Sequence, residues 1–498
     1  MCACGLQCRE KSCLCSPFLD VSASLQAFVD HVEEELQYQL PQPPPVSVFA
    51  SESSIPCLRS TESSELFNEA FVRFGRVSHL FQILAMHPTY ASKFSDCMHT
   101  VMYGSGPLPR PWRAYIAAMA GAAARCPYIV RRQFEAFLAD GGDETWIEGI
   151  DAAPVKLQRL CELNNLLMVR PWAISEATIA SMAEGTGGDA MSAGEIVHAI
   201  IILTAYHSIS ALVWGMGVQP EIDMLIGPQS ADDIKLQLVP VSISENPTSA
   251  TPRTMLSDTK GFDLGIPGKD TEAEQEELMN ELLKASGADL EDLKATASQA
   301  SSSDEPAAAV AVSVVLTDKP TRNQNIPGAL STAGYSALFQ EVVSYRDFSI
   351  KEGVLRTRDF SWSEHGYPLL NRYFAVATTQ VDDMFTHTFG LTYRTLGGHA
   401  NLDTTPYRTA VWYMVHRLFG ITNDDYHYSD INRFLKVPTK RYIKRLVTTP
   451  WLLRQADFQG IVGGMTDREK CHINLLALEA KKQASIMYAL SAVARHFA

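Results

Sequence analysis

Cys126 stands directly before Pro127, and that proline opens a segment with helical periodicity that ends at Gly141 and Gly142. Proline is favoured at the first position of a helix, where its missing N–H costs no hydrogen bond. Cys126 is therefore predicted to be the N-cap, with its sulfur facing unpaired N–H groups that favour a thiolate. This effect lowers a thiol pKa by at most about 1.5 units, which brings it only near neutrality. Reactive chemistry and an inert, buried thiol both stay open.

Apolar residues at helical spacing predict the elements that surround this cysteine. The apolar face of its own helix carries Ile129, Val130, Phe134, Phe137 and Leu138. Residues 196–217 form the most apolar segment, and their two histidines and several hydroxyls favour a buried core helix over a membrane span. Ser192 and Glu195 match a capping box that opens this helix. His198 and His207 are predicted to be core histidines, because no second Glu-x-x-His motif completes a metal site.

Helical patterning extends over most of the chain and strand signals are nearly absent, so the predicted fold class is all-α. The predicted domains are a mostly disordered tail, a first helical lobe, an acidic and partly disordered linker, and a second helical lobe, at residues 1–60, 61–230, 231–335 and 336–498. Within the linker, residues 271–287 have the pattern of a short amphipathic helix that docks either on a partner or on the chain itself. The run 111-PWRAYIAAMA-120 has a counterpart in 406-PYRTAVWYMV-415, which fits two related helical halves.

Charge and cysteine usage limit the class of protein. The chain carries 42 basic and 56 acidic residues, for a net charge of −14, and no basic stripe with interleaved aromatic residues suggests a nucleic-acid partner. No signal peptide is visible. Five of the ten cysteines lie within the first fifteen residues and the rest are scattered, so reduced thiols in the cytosol are predicted. For the N-terminal cysteines, metal binding, acylation and a disordered tail are the alternatives.

Long, ordered segments from about residue 61 to the C-terminus, the linker excepted, resemble the sestrin family. They include 86-MHPTYASKF-94, 103-YGSGPLPRPWRAYIA-117, 361-SWSEHGYPLLNR-372 and 419-FGITNDDYHYSDIN-432. The resemblance implies two pseudo-symmetric helical lobes, each similar to the alkyl hydroperoxidase D fold. It also implies a stress- and nutrient-responsive inhibitor of target-of-rapamycin complex 1 in the cytoplasm, with the nucleus as an open alternative. The implied partner is the GATOR2 complex, which a bound amino acid, leucine or a related one, would release.

The same resemblance implies peroxide reduction by Cys126, with Tyr128 as a proton donor. The family histidine seven residues after the cysteine is Gln133 here, and Ile129 stands where the bacterial enzyme has a resolving cysteine. Gln133 can donate a hydrogen bond but cannot relay a proton. An alkyl hydroperoxide reductase with a single redox-active cysteine, and with no cofactor, is therefore the alternative function. It requires an accessible Cys126 and a proton donor within about 3.2 Å or one water of it.

Six residues match the amino-acid pocket of leucine-sensing sestrins: Thr392, Tyr393, Thr395, Thr404, Arg408 and Glu469. By resemblance, Arg408 holds the ligand carboxylate, Glu469 holds its ammonium, and a threonine-rich loop closes over both. Opposite charges at two ends suit a buried zwitterion, and a structural Arg–Glu pair is the alternative. Tyr407 and Val462 replace a leucine and a tryptophan of the family pocket, so we expect a different side-chain preference.

Asp424, Asp425 and Tyr426, together with Ser192, match the residues through which sestrins engage the GATOR2 complex. Two adjacent acids and a tyrosine in a loop are otherwise typical of a solvated turn. A regulator that binds through this loop requires its side chains to be exposed. A scaffold without a small-molecule ligand, the third hypothesis, would have no cavity between Arg408 and Glu469.

Overall fold

The structure is a computed structural model that describes most of the chain in separate stretches. The described residues are 17, 18, 21, 23, 24, 27, 30, 31, 44–58, 63–185, 188–221, 224, 271–286, 347–349, 354–391, 395–397, 399–462 and 464–497. The N-terminal cysteine cluster and most of the predicted linker lie outside these residues.

The first half consists of helices joined by short connections. Its α-helices are α1 Ser64–Phe74, α2 His79–Leu84, α3 Pro88–Tyr103, α4 Arg110–Ala123, α5 Pro127–Ala139, α6 Val155–Gln158, α7 Leu160–Val169, α8 Glu176–Ala183 and α9 Ala193–Gly215. Short 3₁₀ turns occur at Glu52–Ser54, Glu144–Glu148, Ile150–Ala152 and Pro171–Ala173. Proline stands in the first turn of α3, α4 and α5, where its ring fits and no hydrogen bond is lost.

The second half is also helical. Its α-helices are α10 Thr271–Ser286, α11 Tyr367–Gly390, α12 Thr405–Leu418, α13 Ser429–Phe434, α14 Val437–Thr448, α15 Gln455–Gln459 and α16 Asp467–His496. A π-helical turn, Trp362–Gly366, precedes α11, and a 3₁₀ turn spans Pro450–Leu452. The strands are two residues long: β1 Leu355–Arg356 pairs in parallel with β4 Ile421–Thr422, and β2 Thr395–Leu396 pairs antiparallel with β3 His399–Ala400. The predicted all-α class is confirmed.

The centre of the molecule is the contact between α9 and α16. Helix α4 packs on α9, α12 packs on α16, and α11 packs on both α3 and α16. Buried apolar side chains from both halves form one continuous hydrophobic core. The division into two lobes at the predicted boundaries therefore stays a prediction.

Helix α9 is long and apolar enough to cross a bilayer, with a mean hydropathy of 1.9, but its most apolar window is entirely buried in protein. Within the part of the chain that the structure describes, it is the one helix with this property. The prediction of a core helix is confirmed, as are its two core histidines. His198 Nε2 lies 2.9 Å from Val101 O, and His207 Nε2 lies 2.8 Å from Asn164 Oδ1.

Residues 44–58, which belong to the predicted tail, pack on the helical core. The Ser47 hydroxyl donates to Met216 O at 2.6 Å, and the Ser51 N–H donates to Asp467 Oδ2 at 2.8 Å. Ala50 and Ile55 are buried in the core. These contacts tie the described part of the N-terminal segment to the ends of α9 and α16.

Helix α10 confirms the predicted amphipathic helix and docks on the chain itself, against α12 and α13. Its buried apolar face is formed by Leu278, Met279, Leu282 and Leu283. At the edge of this face, Glu277 pairs with Lys436 and Glu281 pairs with Arg433. An acidic helix therefore covers a basic and apolar surface directly beside the loop at 423–428.

Candidate functional site

Cys126 is the N-cap of α5, as predicted, but its side chain is completely buried. Burial raises the pKa of this thiol to about 12, although the backbone at Ile129 and Tyr128 and the Ser210 hydroxyl act in the opposite direction. The favourable effect of the helix N-terminus is present, and desolvation outweighs it. The thiol is therefore protonated at neutral pH and is not accessible to a peroxide in solution.

The Tyr128 hydroxyl is directed at a carboxylate, whereas peroxide chemistry needs it beside the Cys126 sulfur. Its hydroxyl donates to Glu221 Oε1 at 2.7 Å. Burial, together with the Glu221 carboxylate, raises the pKa of Tyr128 well above its usual value. On the other face of α5, Gln133 is a hydrogen-bond partner of the Tyr206 hydroxyl. One sequence expectation for this helix is wrong: Leu138 is 40% exposed, because it lies about 100° around α5 from the buried Phe137 and faces away from the core.

Arg408 is buried near the start of α12 and binds backbone groups at the end of α11. Its Nη1 donates to Phe389 O at 2.7 Å and to Leu391 O at 2.9 Å, and its Nη2 donates to Thr405 Oγ1 at 2.8 Å. Its Nε has no hydrogen-bond partner among the described residues. Burial lowers the pKa of Arg408, and the Asp403 carboxylate acts against this. The result is a buried cation with one unsatisfied N–H.

Glu469 is the buried counterpart on α16, where it forms a capping box with Thr466. Its Oε2 accepts from the Thr466 N–H at 2.8 Å and from the Thr466 hydroxyl at 3.1 Å. The Gly397 N–H, at the turn of the β2–β3 hairpin, lies 3.1 and 3.2 Å from its two oxygens. Every one of these donors is neutral. Among the described residues, no lysine, arginine or histidine forms an ion pair with this carboxylate.

The remaining predicted pocket residues are only partly described. Thr404 is buried and is the N-cap of α12, with its carbonyl accepting from Arg408 N at 3.0 Å. Thr395 is exposed on β2, opposite Ala400 of β3. Thr392 and Tyr393 lie outside the described residues. Both positions that differ from the family pocket, Tyr407 and Val462, are buried, with 3% and 2% of their surface exposed.

The first half of the chain repeats this arrangement with its charges satisfied. Arg113, at the position of α4 that matches Arg408 in the sequence echo, donates to the carbonyls of Gly104 at 2.7 Å and Leu108 at 2.8 Å and to others of the same loop. Glu195, in the capping box of α9, forms an ion pair with Lys156 at 3.0 Å. The second half differs, because within the described stretches Arg408 Nε–H has no acceptor and Glu469 forms no ion pair.

His472 belongs to this site and was not predicted. It follows Glu469 by three residues on α16, as His198 follows Glu195 on α9, and this repeated Glu-x-x-His spacing is the signal that could have identified it. The expectation that the sequence contains no second Glu-x-x-His motif is therefore wrong. Its Nε2 lies 3.3 Å from Thr388 O. Burial lowers the pKa of His472 to about 3, and the nearby charge of Arg408 contributes to the shift. The structure therefore places a neutral imidazole beside Arg408 and Glu469.

The loop with the predicted partner residues lies between β4 and α13. Asp424 and Asp425 are exposed, and Tyr426 is half-buried. The Tyr426 ring packs on Tyr413 with a centroid distance of 4.4 Å and contacts the edge of Tyr428 at 5.2 Å. The loop thus presents two carboxylates to solvent from a base of stacked tyrosines.

Ser192 is exposed and caps α9, as the sequence predicts. Its hydroxyl accepts from the Glu195 N–H at 3.2 Å, while Glu195 Oε2 accepts from the Ser192 N–H at 2.7 Å. Within the described stretches, no hydrogen bond joins Ser192 to the loop at 424–426. Its role in the structure is therefore that of a helix cap.

Comparison with known proteins gives consistent similarities over most of the chain. A profile of the family described as PA26 p53-induced protein (sestrin) matches residues 45–497. A sestrin homolog of Dictyostelium discoideum is 30% identical over 490 residues, which cover 96% of this chain and 80% of that protein. Human Sestrin-2 is 32% identical over 435 residues, or 86% of each chain. Sestrin-1 of Macaca fascicularis is 32% identical over 484 residues, or 94% of each chain.

Proposed function

The chain belongs to the sestrin family of stress-responsive proteins, and we propose that it inhibits target-of-rapamycin complex 1 signalling by binding the GATOR2 complex. A free amino acid, leucine or a related one, would bind between Arg408 and Glu469 and release the partner. We expect this activity in the cytoplasm and also in the nucleus.

The observation that carries this proposal is a pair of buried charges that form no salt bridge within the described residues, although Asp403 acts electrostatically on Arg408. Among those residues, Arg408 Nε–H has no hydrogen-bond acceptor, and the donors to Glu469 are neutral. An amino-acid zwitterion supplies a carboxylate for the first and an ammonium for the second, so binding adds no net charge to the interior. In the first half, Glu195 already pairs with Lys156, so it needs no ligand ammonium.

Access to this site requires the β2–β3 hairpin to open. The Gly397 peptide lies against both oxygens of Glu469, and an incoming ammonium would replace that N–H. Two described cavities, of about 30 and 250 Å³, are lined by neither Arg408 nor Glu469. A scaffold without a small-molecule ligand would also have cavities that avoid these two residues. An amino-acid sensor requires in addition that the hairpin act as a lid, which fits the threonine-rich loop expected from the sequence.

Calorimetry with leucine, methionine, isoleucine and arginine tests the site on the full chain. Glu469→Gln keeps the capping box, which accepts glutamine, while removing the charge. Loss of one partner of a buried charge pair costs about 2–5 kcal/mol, so affinity should fall roughly 30- to 4000-fold. Arg408→Ala should have a similar effect.

Glu195→Gln is the matched control, because it makes the same change in the capping box of α9. It should bind the amino acid as the parent does. The proposal fails if none of the four amino acids binds the parent, or if Glu195→Gln weakens binding as much as Glu469→Gln.

A further inference from the structure

A separate cleft adjoins α12 one to two turns after Arg408. It has a volume of about 250 Å³ and opens between the π-helical turn Trp362–Gly366, α12 and α16. About 10–15 Å³ of volume measured with a water-sized probe is enough for one water, so the cleft has room for several waters or a small flat molecule. π-Helical turns occur frequently at functional sites. None of its lining residues belongs to the amino-acid site.

Three aromatic rings form the walls, and hydrogen bonds or ring contacts hold each of them in position. The Trp362 indole N–H donates to Asp382 Oδ1 at 2.7 Å. Trp412 is buried and packs edge-to-face on Phe389, with a centroid distance of 5.5 Å. The Tyr413 hydroxyl accepts from Asn423 Nδ2 at 2.7 Å. Rigid aromatic walls of this kind favour a flat ligand, which can stack on them without loss of side-chain freedom.

His416 lies in the wall of the cleft with 4% of its surface exposed. Neither of its ring nitrogens makes a hydrogen bond within the described residues. The Ala480 carbonyl and the Gln483 side chain interact with the ring and raise its pKa, but burial outweighs them and lowers that pKa to about 4. These two contacts fall short of hydrogen-bond geometry, so a ligand or water that met the nitrogens directly would stabilise the buried imidazole. The neutral His416 imidazole offers one hydrogen-bond donor and one acceptor to a ligand in the cleft.

Among the described residues that line the cleft, none is an aspartate, glutamate, lysine or arginine. A charged ligand would be desolvated there without an opposite charge to compensate it. We propose that this cleft is a binding site for an uncharged, planar heteroaromatic molecule of one or two rings, stacked between Trp362 and Trp412 and hydrogen-bonded to His416. The Gln483 amide beside the histidine adds a second donor and acceptor along the same edge.

Nicotinamide and nicotinate are a matched pair of probes, since they share a ring and differ in charge. Ligand-detected NMR titration of the full chain with nicotinamide, nicotinate and adenine measures binding directly. Nicotinamide and adenine should bind, and nicotinate should bind at least about tenfold more weakly, because its charge has no partner in the cleft.

Two variants locate the binding. Ser363 is exposed at the mouth of the cleft, so Ser363→Trp should fill the space without disturbing the core and weaken binding about tenfold or more. Glu364→Trp is the control, because Glu364 is the exposed neighbour on the same turn and does not line the cleft. His416→Phe should weaken binding roughly two- to tenfold. Its melting temperature should be equal to or above that of the parent, since the substitution removes two unsatisfied buried nitrogens.

The inference is overturned if neither nicotinamide nor adenine binds the parent. It is also overturned if nicotinate binds as tightly as nicotinamide, or if Ser363→Trp binds the probes as Glu364→Trp does.

Discussion

The Tyr128 hydroxyl donates to Glu221 at 2.7 Å, while the neighbouring Cys126 thiol has no exposed surface. Tyr128 was the nearest candidate for protonating a leaving alkoxide, and its proton is directed away from the sulfur. The two requirements of a hydroperoxide reductase, an accessible thiolate and a proton donor beside it, are therefore both unfulfilled in the folded chain.

Peroxide turnover by the folded protein should accordingly be no faster than that of the Cys126→Ser variant. With a thiol pKa of about 12, the thiolate fraction at pH 7 is on the order of 10⁻⁵. Peroxide consumption and thiol labelling at pH 7 check this, with the exposed Cys57 as an internal control that should react rapidly. Sulfenic acid at Cys126, formed in the native protein as quickly as at Cys57, would contradict the expectation.

Reversing the charges of Asp424 and Asp425 to lysine should abolish capture of the GATOR2 complex with little loss of stability. Both side chains are exposed, and the one ion pair described for them joins Asp424 to the exposed Arg358 at 3.5 Å. Such surface pairs are worth about 0–1 kcal/mol. Co-precipitation and urea denaturation measure the two quantities.

A matched reversal at Glu148 and Asp151, which are exposed on the first half of the chain, controls for net charge. It should leave capture intact. If both double variants lose the partner equally, the effect is one of overall charge and the loop is not the binding surface.

Tyr407 and Val462 should determine which amino acid the site prefers. Replacing them together with leucine and tryptophan roughly conserves buried volume, which a core tolerates better than either change alone. One contact of methylene size is worth about 1–3 kcal/mol, so leucine should gain roughly 10- to 200-fold per restored contact relative to isoleucine. Calorimetry on the parent and the double variant tests this. An unchanged order of preference would show that these side chains do not touch the ligand.

The apolar face of α10 should contribute most of the free energy that holds this helix against α12 and α13. Its ion pairs, Glu281 with Arg433 and Glu277 with Lys436, are partly exposed and are worth about 0.2–1 kcal/mol each. Burying a leucine is worth about 1.5–3 kcal/mol, and Leu282 is completely buried. Leu282→Asp should therefore release the helix, whereas reversing Arg433 should only loosen it.

Hydrogen exchange of the α10 amides reports both outcomes for this helix. Glu276, which is exposed, supplies the control: Glu276→Ala should leave exchange unchanged. Equal protection in the parent and Leu282→Asp would mean that the apolar face does not hold α10 in place.

Lys481 should make stability increase with pH. Burial lowers its pKa from 10.5 to about 7, and its Nζ lies 3.6 Å from Met168 Sδ, with no carboxylate paired to it in the described chain. Between about pH 7 and 10.5 the unfolded chain binds a proton that the folded protein does not, so the free energy of unfolding rises over this window. Below pH 7, Lys481 is charged in both the folded and the unfolded state, and burial of its charge then destabilises the folded protein by the full amount.

Lys481→Met should therefore be more stable than the parent at pH 7 by an amount on the order of a few kcal/mol, since each pKa unit is worth about 1.36 kcal/mol. The difference should shrink as the pH approaches 10.5. Urea denaturation of both proteins at several pH values measures it. A constant difference across the series would show that Lys481 does not titrate in this range.

Local patterns in the sequence predicted the elements well because their causes are local. Pro127 begins α5, and the Ser192–Glu195 capping box begins α9, through contacts within four residues. The reactivity of Cys126 could not be predicted in this way. Its helix N-terminus is a local feature, while the burial that outweighs it comes from helices distant in the sequence.

The candidate sites show the same contrast between features with local causes and features that depend on residues distant in the sequence. Arg408 and Glu469 were identified from a family resemblance, but only the structure reveals that neither forms a salt bridge with another described residue. The contrast with Glu195 depends on Lys156, which is 39 residues away in the sequence. The cleft at His416 combines five separate parts of the chain, at residues 357, 362–363, 412–416, 423 and 483–487, and no sequence pattern indicates that they meet.

The packing of α9 against α16 has a consequence for any cut made between the two halves. Each of these helices buries its apolar surface against the other, so neither half can complete a core from its own residues. A chain cleaved between residues 287 and 346 should stay together as a non-covalent complex and unfold in one cooperative transition. Either fragment produced alone should be insoluble, and mixing the two during refolding should restore a native protein by fragment complementation.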